Sequence, residues 1–206
     1  MPPAEPHAHA ALVLAAGGSS RLGYAKQALR RDGKTLLRRT VRLALHTRPA
    51  RCLVALGARA PDLAPLLDGL PAEIVHNPRW RDGMGSSLDC LRRALPEGPP
   101  VSHSLILGCD QPALDEAHLA ALLAASRCTP DQAAVSTYGG TRGLPVVVPQ
   151  GLWAAHPLQG DRGLRDMLAA ARGQWVAVPR PDLAHDLDTP ADVDAAVRRG
   201  WIGPPA

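Results

Sequence analysis

The apolar run from Ala10 to Ala15 stops abruptly in Gly17, Gly18, Ser19, Ser20 and Arg21, and a lysine, Lys26, follows three residues after Gly23. A run this short, β-branched in part and bounded by breakers, reads as a buried strand. The small residues beyond it let backbone N–H groups approach a ligand closely, and Arg21 and Lys26 add fixed positive charge. Amide donors beside cations suit a polyphosphate, so a nucleoside triphosphate is expected at this loop. The alternative is a tight strand-to-helix turn with incidental cations.

The rest of the chain alternates in a way that extends this strand into a sheet. Residues 34–47 place Leu36, Leu37, Val41, Ala44 and Leu45 on one helical face, with Arg38, Arg39 and Arg42 largely off it as a solvated surface. A strand is expected at 52–56, a helix at 61–68 with Pro61 tolerated in its first turn, and a strand at 73–76. This β-α-β-α-β order with short connections predicts an α/β fold: a doubly wound, mostly parallel sheet with helices on both faces. The polar, glycine-rich stretch 77–88 runs into a helix at 87–95. A strand at 104–108 ends in Cys109, Asp110, Gln111 and Pro112. Further helices are expected at 116–126, 151–156, from an Asp161 cap to 171, and at 191–199 behind Thr189 and Pro190. Strands are expected at 133–137 and 145–148, joined by a flexible 138–143, and at 175–178. His7 to His9 reads as a disordered tip and 200–206 as a loose tail. No repeat or linker interrupts the chain, so residues 1–206 are expected to form one domain with its core at about 10–199.

With 46% hydrophobic residues and no Phe, the core must be built from Leu, Val, Ala and Ile. The net charge of +4 is spread along the chain without interleaved aromatics, which argues against nucleic acid and suits small anionic substrates. Four cysteines without CxxC spacing are expected to be reduced, small buried residues. Met1 to Ala10 lacks the apolar h-region of a secretory signal, and no apolar run approaches ~20 residues. The expected setting is cytoplasmic, with no membrane contact.

Familiar phosphate loops do not fit. Gly18 and Gly23 have Walker A spacing, but Tyr24 takes the lysine position; before Gly33, Lys34 and Thr35, Ala28 replaces the first glycine. Gly83 and Gly85 begin a dinucleotide GxGxxG that Leu88 fails to complete. Asp110 and Asp188 each end a short apolar segment ahead of a proline. In one parallel sheet both would emerge at the edge that carries the glycine-rich loop, where two carboxylates beside a triphosphate would hold Mg²⁺. The alternatives are that each only caps its turn, or that Asp186 takes the place of Asp188.

Residues Ala15 to Gly23 followed by Lys26 resemble the opening of the MobA-like nucleotidyltransferases. The likeness continues through His76-Asn77-Pro78, Gly83 to Leu88, Asp110-Gln111-Pro112, Gly160 to Gly163 and Asp188-Thr189-Pro190. The Ala15-Ala16-Gly17 opening, Asp110-Gln111-Pro112 and Asn77 to Trp80 are most similar to the molybdenum cofactor cytidylyltransferase branch. That branch usually has Gly-His-Pro where this chain has Gly143-Leu144-Pro145.

The resemblance implies a Rossmann-like nucleotidyltransferase fold and transfer of CMP from CTP to the phosphate of molybdopterin, with loss of pyrophosphate. It implies a nucleotide site of Ala15, Ala16, Gly17, Gly18, Ser19, Ser20, Arg21, Lys26, Asn77, Gly83, Ser86 and Ser87. Arg21, Lys26 and Asp110 would be catalytic, and Mg²⁺, with Mn²⁺ as the substitute, would sit on Asp110 and Asp188. The acceptor would lie along residues 140–165, against Gly143, Leu144, Pro145, Asp161 and Arg162. A molybdoenzyme client or its chaperone is the implied protein partner. Alternatives are another phosphorylated acceptor, a non-catalytic molybdenum cofactor carrier, and a pyridine-nucleotide oxidoreductase.

Overall fold

The structure, a computed structural model, describes residues 8–154, 158, 163–170 and 175–205. Strand β1 (His9–Ala15) leads through a 3-10 turn at Lys26–Ala28 into a small hairpin, β2 (Arg30–Arg31) and β3 (Lys34–Thr35). Then come α1 (Leu36–His46), β4 (Arg51–Leu56), α2 (Ala60–Leu63), β5 (Glu73–His76), α3 (Met84–Ala94) and β6 (His103–Gly108). The chain continues with α4 (Glu116–Cys128), β7 (Ala133–Tyr138), β8 (Thr141–Pro149), α5 (Gln150–Ala154), α6 (Gly163–Ala170), β9 (Trp175–Pro179) and α7 (Pro190–Arg198).

Seven strands form one sheet in the order β5-β4-β1-β6-β8-β7-β9. β1 pairs in parallel with β4 and β6, β4 with β5, and β7 with β9. The mostly parallel, doubly wound expectation holds, with β8 antiparallel to both β6 and β7. The reason is local. Strands β7 and β8 run on until only Gly139 and Gly140 separate them, both at positive φ (54° and 74°), and a two-residue turn makes a hairpin. The flexible 138–143 connection expected from sequence is therefore mostly strand.

Side chains alternate across the central strands. Ala11, Val13 and Ala15 join Leu37, Val41, Leu63, Leu119 and Leu122 on one face. Ala10 and Leu12 join Leu88, Leu91, Trp153, Leu164 and Met167 on the other. Both faces are covered, which is what continuous apolar strands require. Each buried Leu contributes about 1.5–3 kcal/mol. A third cluster joins Leu22 and Leu29 to Leu187, Val193, Ala196 and Ile202, fastening the loop after β1 to α7.

Several local expectations change. The helix at 61–68 is one α turn followed by a 3-10 turn at Ala64–Leu67, because Pro65 has no N–H for the ladder. Helix α3 starts at Met84, three residues earlier than expected. Arg38 donates to Leu66 O (2.8 Å) and Asp68 O (3.0 Å), and Arg39 to Leu114 O (2.5 Å), so both pin α1 to its neighbours; Arg42 stays exposed. His9 is a buried β1 residue, its Nε2 2.9 Å from Thr47 Oγ1. Ile202 is buried and the Gly203 amide donates to Arg30 O (2.9 Å), so the tail is anchored. Cys52 and Cys109 are buried, whereas Cys128 is exposed. His7, His156 and the Asp161 cap lie outside the described residues. Among the described residues, no helix is long and apolar enough to cross a membrane.

Candidate active site

Chain order sets the place. From β1 the chain goes to β4 and β5 on one side, then returns to β6 on the other, opening a crevice at the carboxyl ends of β1 and β6. The glycine-rich loop follows β1, and Asp110 follows β6. Because β8 runs against β6, its first half meets the same edge, which brings Leu144 beside Asp110.

The loop after β1 runs through residues 16–25 before a single 3-10 turn at Lys26–Ala28, so it is not a tight strand-to-helix turn. It bends through Ser19 (φ 50°) and Gly23 (φ 76°), and the Leu22 and Gly23 amides donate to Ser19 O at 3.0 and 3.3 Å. Buried Gln27 clips the loop, its Nε2 donating to Ala15 O (3.1 Å) and Gly17 O (2.9 Å). The Lys26 amide donates to Ser19 Oγ (3.2 Å). Among the described residues, the Gly17, Gly18 and Ser20 amides have no acceptor within the protein. Trp80 covers the loop from one side: a Cβ on Gly57 would meet Trp80 Cβ at 2.7 Å and Ala16 O at 2.8 Å. Only glycine permits that approach.

Lys26 is the centre of the charge cluster. Its Nζ donates to Asp110 Oδ2 and to Asp188 Oδ1, both at 2.8 Å, and Arg21 lies 3.5 Å from Asp188 Oδ2. Burial works against the ammonium, but the Asp110 and Asp188 carboxylates outweigh it and hold its pKa above the ordinary lysine range. The Leu187 amide donates to Asp110 O (3.0 Å), locking the 186–188 segment to the end of β6. A capping box at Thr189 and Asp192 fixes the start of α7 just beyond Asp188. Asp188, not Asp186, shares Lys26 with Asp110. Crowding by the surrounding protein, then the Asp110 charge, push Asp186 up to about 7, although its side chain still reaches solvent.

Among the described residues, no three His, Cys, Asp or Glu side chains converge on one metal position. Two carboxylates do share one cation, so their oxygens lie no farther apart than those two contacts allow. Hard oxygen donors so placed fit a divalent ion that completes its shell with phosphate and water.

Two cavities meet at Asp110. The first, about 430 Å³, is lined by Ala15 to Gly18, Lys26, Trp80, Gly83, Met84, Ser87 and Asp110, and its size suits a nucleoside. Ser19, Ser20 and Arg21 stand beyond that lining, with Arg21 exposed. Asn77 and Ser86 are buried behind it: Asn77 Nδ2 donates to Ser86 Oγ (2.9 Å) and Ser87 Oγ (3.0 Å), so they brace the loop and do not face the cavity. The second cavity, about 270 Å³, shares Met84, Asp110 and Leu144 with the first and adds Gly143, Tyr138 and Asp186. Pro145 is not on its lining; its carbonyl accepts from Ser136 Oγ (2.5 Å). Tyr138 Oη donates to Leu144 O (3.3 Å) and accepts from Gln111 Nε2 (3.3 Å). Burial, then Asp186, push its hydroxyl up to about 12. Asp161 and Arg162 lie outside the described residues. Gln27 and Tyr138 are site residues that sequence reading did not single out, whereas Trp80, Met84 and Gln111 stood within its motifs without a role of their own.

Carboxylates that share a lysine where two cavities meet, at the strand ends of an α/β sheet, fit the phosphate-transfer class of α/β enzymes, in which positioning and charge neutralisation supply the catalysis. Comparison narrows the class. Residues 11–177 match the family model for the MobA-like NTP transferase domain, and the chain belongs to that family. It is a nucleotidyltransferase.

Solved structures agree on the fold. A homologue of Mycobacterium tuberculosis Rv0371c from Mycobacterium sp. strain JC1 superposes with a TM-score of 0.77 at 28% identity, over 93% of this chain and 96% of that one. A nucleotidyl transferase from Methanothermobacter thermautotrophicus gives 0.77 at 22%, over 94% and 97%. Rv0371c of M. tuberculosis H37Rv, in complex with manganese, gives 0.70 at 23%, over 94% and 97%. Among curated protein sequences, no match was found.

Proposed function

We propose that this nucleotidyltransferase transfers CMP from CTP to the phosphate of molybdenum cofactor and releases pyrophosphate. The observation that carries the reading is the position of Asp110, on the lining of both cavities and bonded to Lys26. A nucleotide in the first cavity and a phosphate monoester in the second would meet there. The cytosine preference rests on the Ala15-Ala16-Gly17 opening, and the acceptor on the resemblance to the cytidylyltransferase branch.

The unspent amides of Gly17, Gly18 and Ser20, with Arg21, hold the β- and γ-phosphates. Gly83 and Ser87 face the base from the start of α3, with Asn77 and Ser86 bracing them. An oxygen of the acceptor phosphate attacks the α-phosphorus in line, the bond to the β-phosphate oxygen breaks, and pyrophosphate leaves with the electron pair. A phosphate monoester is close to fully ionised at neutral pH, so no protein base is needed. Lys26 stabilises the charge that gathers on the α-phosphate oxygens. Asp110 and Asp188 would hold Mg²⁺ or Mn²⁺, which when bound polarises phosphoryl oxygens and orients the two phosphates. The manganese complex of the similar Rv0371c supports this choice of ion.

The test is pyrophosphate release with CTP, GTP or ATP, Mg²⁺ or Mn²⁺, and molybdenum cofactor. CTP is expected to turn over fastest and to raise the melting temperature more than GTP. A GTP preference overturns the base assignment; no release with any nucleotide overturns the acceptor. Leu144, which replaces the family's usual histidine and lines both cavities, favours a second reading in which another phosphorylated acceptor is used.

A further inference from the structure

The second cavity has two chemically opposite ends. Asp110 and Asp186 stand at the reaction end, and Leu144, Leu164 and Leu168 make an apolar wall. At the far end Arg142 and Arg165 also line an adjoining hollow of about 290 Å³. They come from different elements, Arg142 from the start of β8 and Arg165 from the first turn of α6.

Among the described residues, neither arginine has a carboxylate or carbonyl partner. Among the described residues that line this cavity they are the two basic side chains, and both keep their donors free, as several exposed arginines elsewhere also do. Arg51 is paired with Glu73, Arg92 and Arg93 with Asp89, and Arg180 with Asp115, while Arg38 and Arg39 spend their donors on carbonyls. Arg142 lies with its guanidinium carbon 4.8 Å from the centre of the Trp175 ring. Stacking on an indole face orients a guanidinium without using its N–H donors, so the fork stays available for an anion. Two cations from separate elements repel one another across the same cavity. An anion seated between them relieves that repulsion and gains charge-assisted hydrogen bonds.

We infer that the acceptor is an anion at both ends: a phosphate at the Asp110 end, an apolar middle along Leu144, Leu164 and Leu168, and a second anionic group held by Arg142 and Arg165. The two arginines then determine acceptor specificity, selecting against phosphate monoesters whose far end is neutral. The inference rests on the proposed function in taking this cavity as the acceptor site, and it adds a chemical class that the choice of acceptor must satisfy.

The test uses a pair of probes, benzyl phosphate and 4-carboxybenzyl phosphate, which differ by one far-end carboxylate. Binding is measured by calorimetry on the full chain with Mg²⁺ and a non-hydrolysable CTP analogue, so no turnover is required. The wild-type protein is expected to prefer the carboxylated probe by about tenfold or more. Arg142→Gln and Arg165→Gln should each lower that preference, and the double variant should bind the two probes alike. Raising the salt concentration should erode the wild-type preference. Equal binding of both probes by the wild type, or a preference that survives in the double variant, overturns the inference. If the preference is found but CTP and molybdenum cofactor release no pyrophosphate, the proposed acceptor falls and the two-ended site stands.

Discussion

Replacing Lys26 by methionine should destabilise the protein and make it more responsive to divalent metal. The substitution keeps most of the side-chain volume and removes the charge that Asp110 and Asp188 share at 2.8 Å each. Two carboxylates then face each other with only the exposed Arg21, 3.5 Å from Asp188, as counter-charge. Unit charges about 4 Å apart interact by about 4 kcal/mol at an effective dielectric of 20, which sets the ceiling. The side chains of Lys26, Asp110 and Asp188 are 17, 28 and 43% exposed, so solvent screens part of it. A loss of about 2 kcal/mol is the working figure, or a fall in Tm of roughly 4–8 °C for a chain of this size. Because the carboxylates hold the Lys26 ammonium above the ordinary range, its contribution is complete below the unfolded-state lysine value and is lost only as pH rises through the higher native one. Titration of Lys26 itself should therefore not narrow the gap between variant and wild type below about pH 9; any slope near pH 7 belongs to Asp186, which Lys26 helps to keep ionised. Thermal unfolding with and without millimolar Mg²⁺ or Mn²⁺ is the assay. The metal should restore much of the lost Tm in the variant and raise the wild type less, since in the wild type Lys26 competes for the same oxygens. Equal melting temperatures without metal, together with equal metal shifts, would refute the reasoning.

Three further outcomes are expected. Asp110→Ala should abolish pyrophosphate release while leaving the far-ultraviolet circular dichroism unchanged; retained CMP transfer removes Asp110 from the reaction. Gly57→Ala should cost about 1–3 kcal/mol, as overpacking does, because its Cβ would stand 2.7 Å from Trp80 Cβ and 2.8 Å from Ala16 O. It should also weaken CTP binding by shifting Trp80, and calorimetry showing unchanged affinity would sever that link. Burial lowers the His9 pKa to about 4, so between about pH 6.5 and 4 the unfolded chain takes up a proton that the native chain excludes. Stability should fall by up to about 3 kcal/mol as pH drops through that window, and His9→Gln should flatten the slope in urea titrations; an unchanged slope sinks this account.

What was legible in the sequence follows from what each signal encodes. Short apolar runs such as Ala10 to Ala15 and 104–108 encode strands buried on both faces, and the helical spacing of Leu37, Val41 and Ala44 encodes one covering layer. Those signals are local, and the elements they announced are present. Thr189 before Pro190 likewise announced α7, because a cap and a first-turn proline act within four residues. Asp110 was legible as a strand-end carboxylate because an open parallel sheet delivers such residues to one edge; Asp188 ends no strand and reaches that edge from the segment before α7, where the Leu187 amide donates to Asp110 O. The antiparallel strand β8 was less so. Its direction depends on how tightly the chain turns at Gly139 and Gly140, and a glycine pair reads equally well as a loose loop.

The missed parts of the site share a different cause: their roles depend on partners remote in the chain. Trp80 becomes a cavity wall only because Gly57 and Gly18 let it approach two backbone segments, and neither glycine signals that alone. Gln27 clips Ala15 O and Gly17 O because the loop folds back on itself, a geometry that no periodicity encodes. Lys26 is the instructive case. Read from sequence it was a cation for phosphate, and it is bonded to both carboxylates expected to hold the metal. On the proposed function a single ammonium would answer both to the metal's oxygens and to the nucleotide's phosphates, and it could not serve both at full strength. Binding of either charge must therefore alter the site's affinity for the other by the same factor, as linkage requires. Mn²⁺ affinity measured with and without CTP reads that factor directly, and a factor of one means that Lys26 does not connect them.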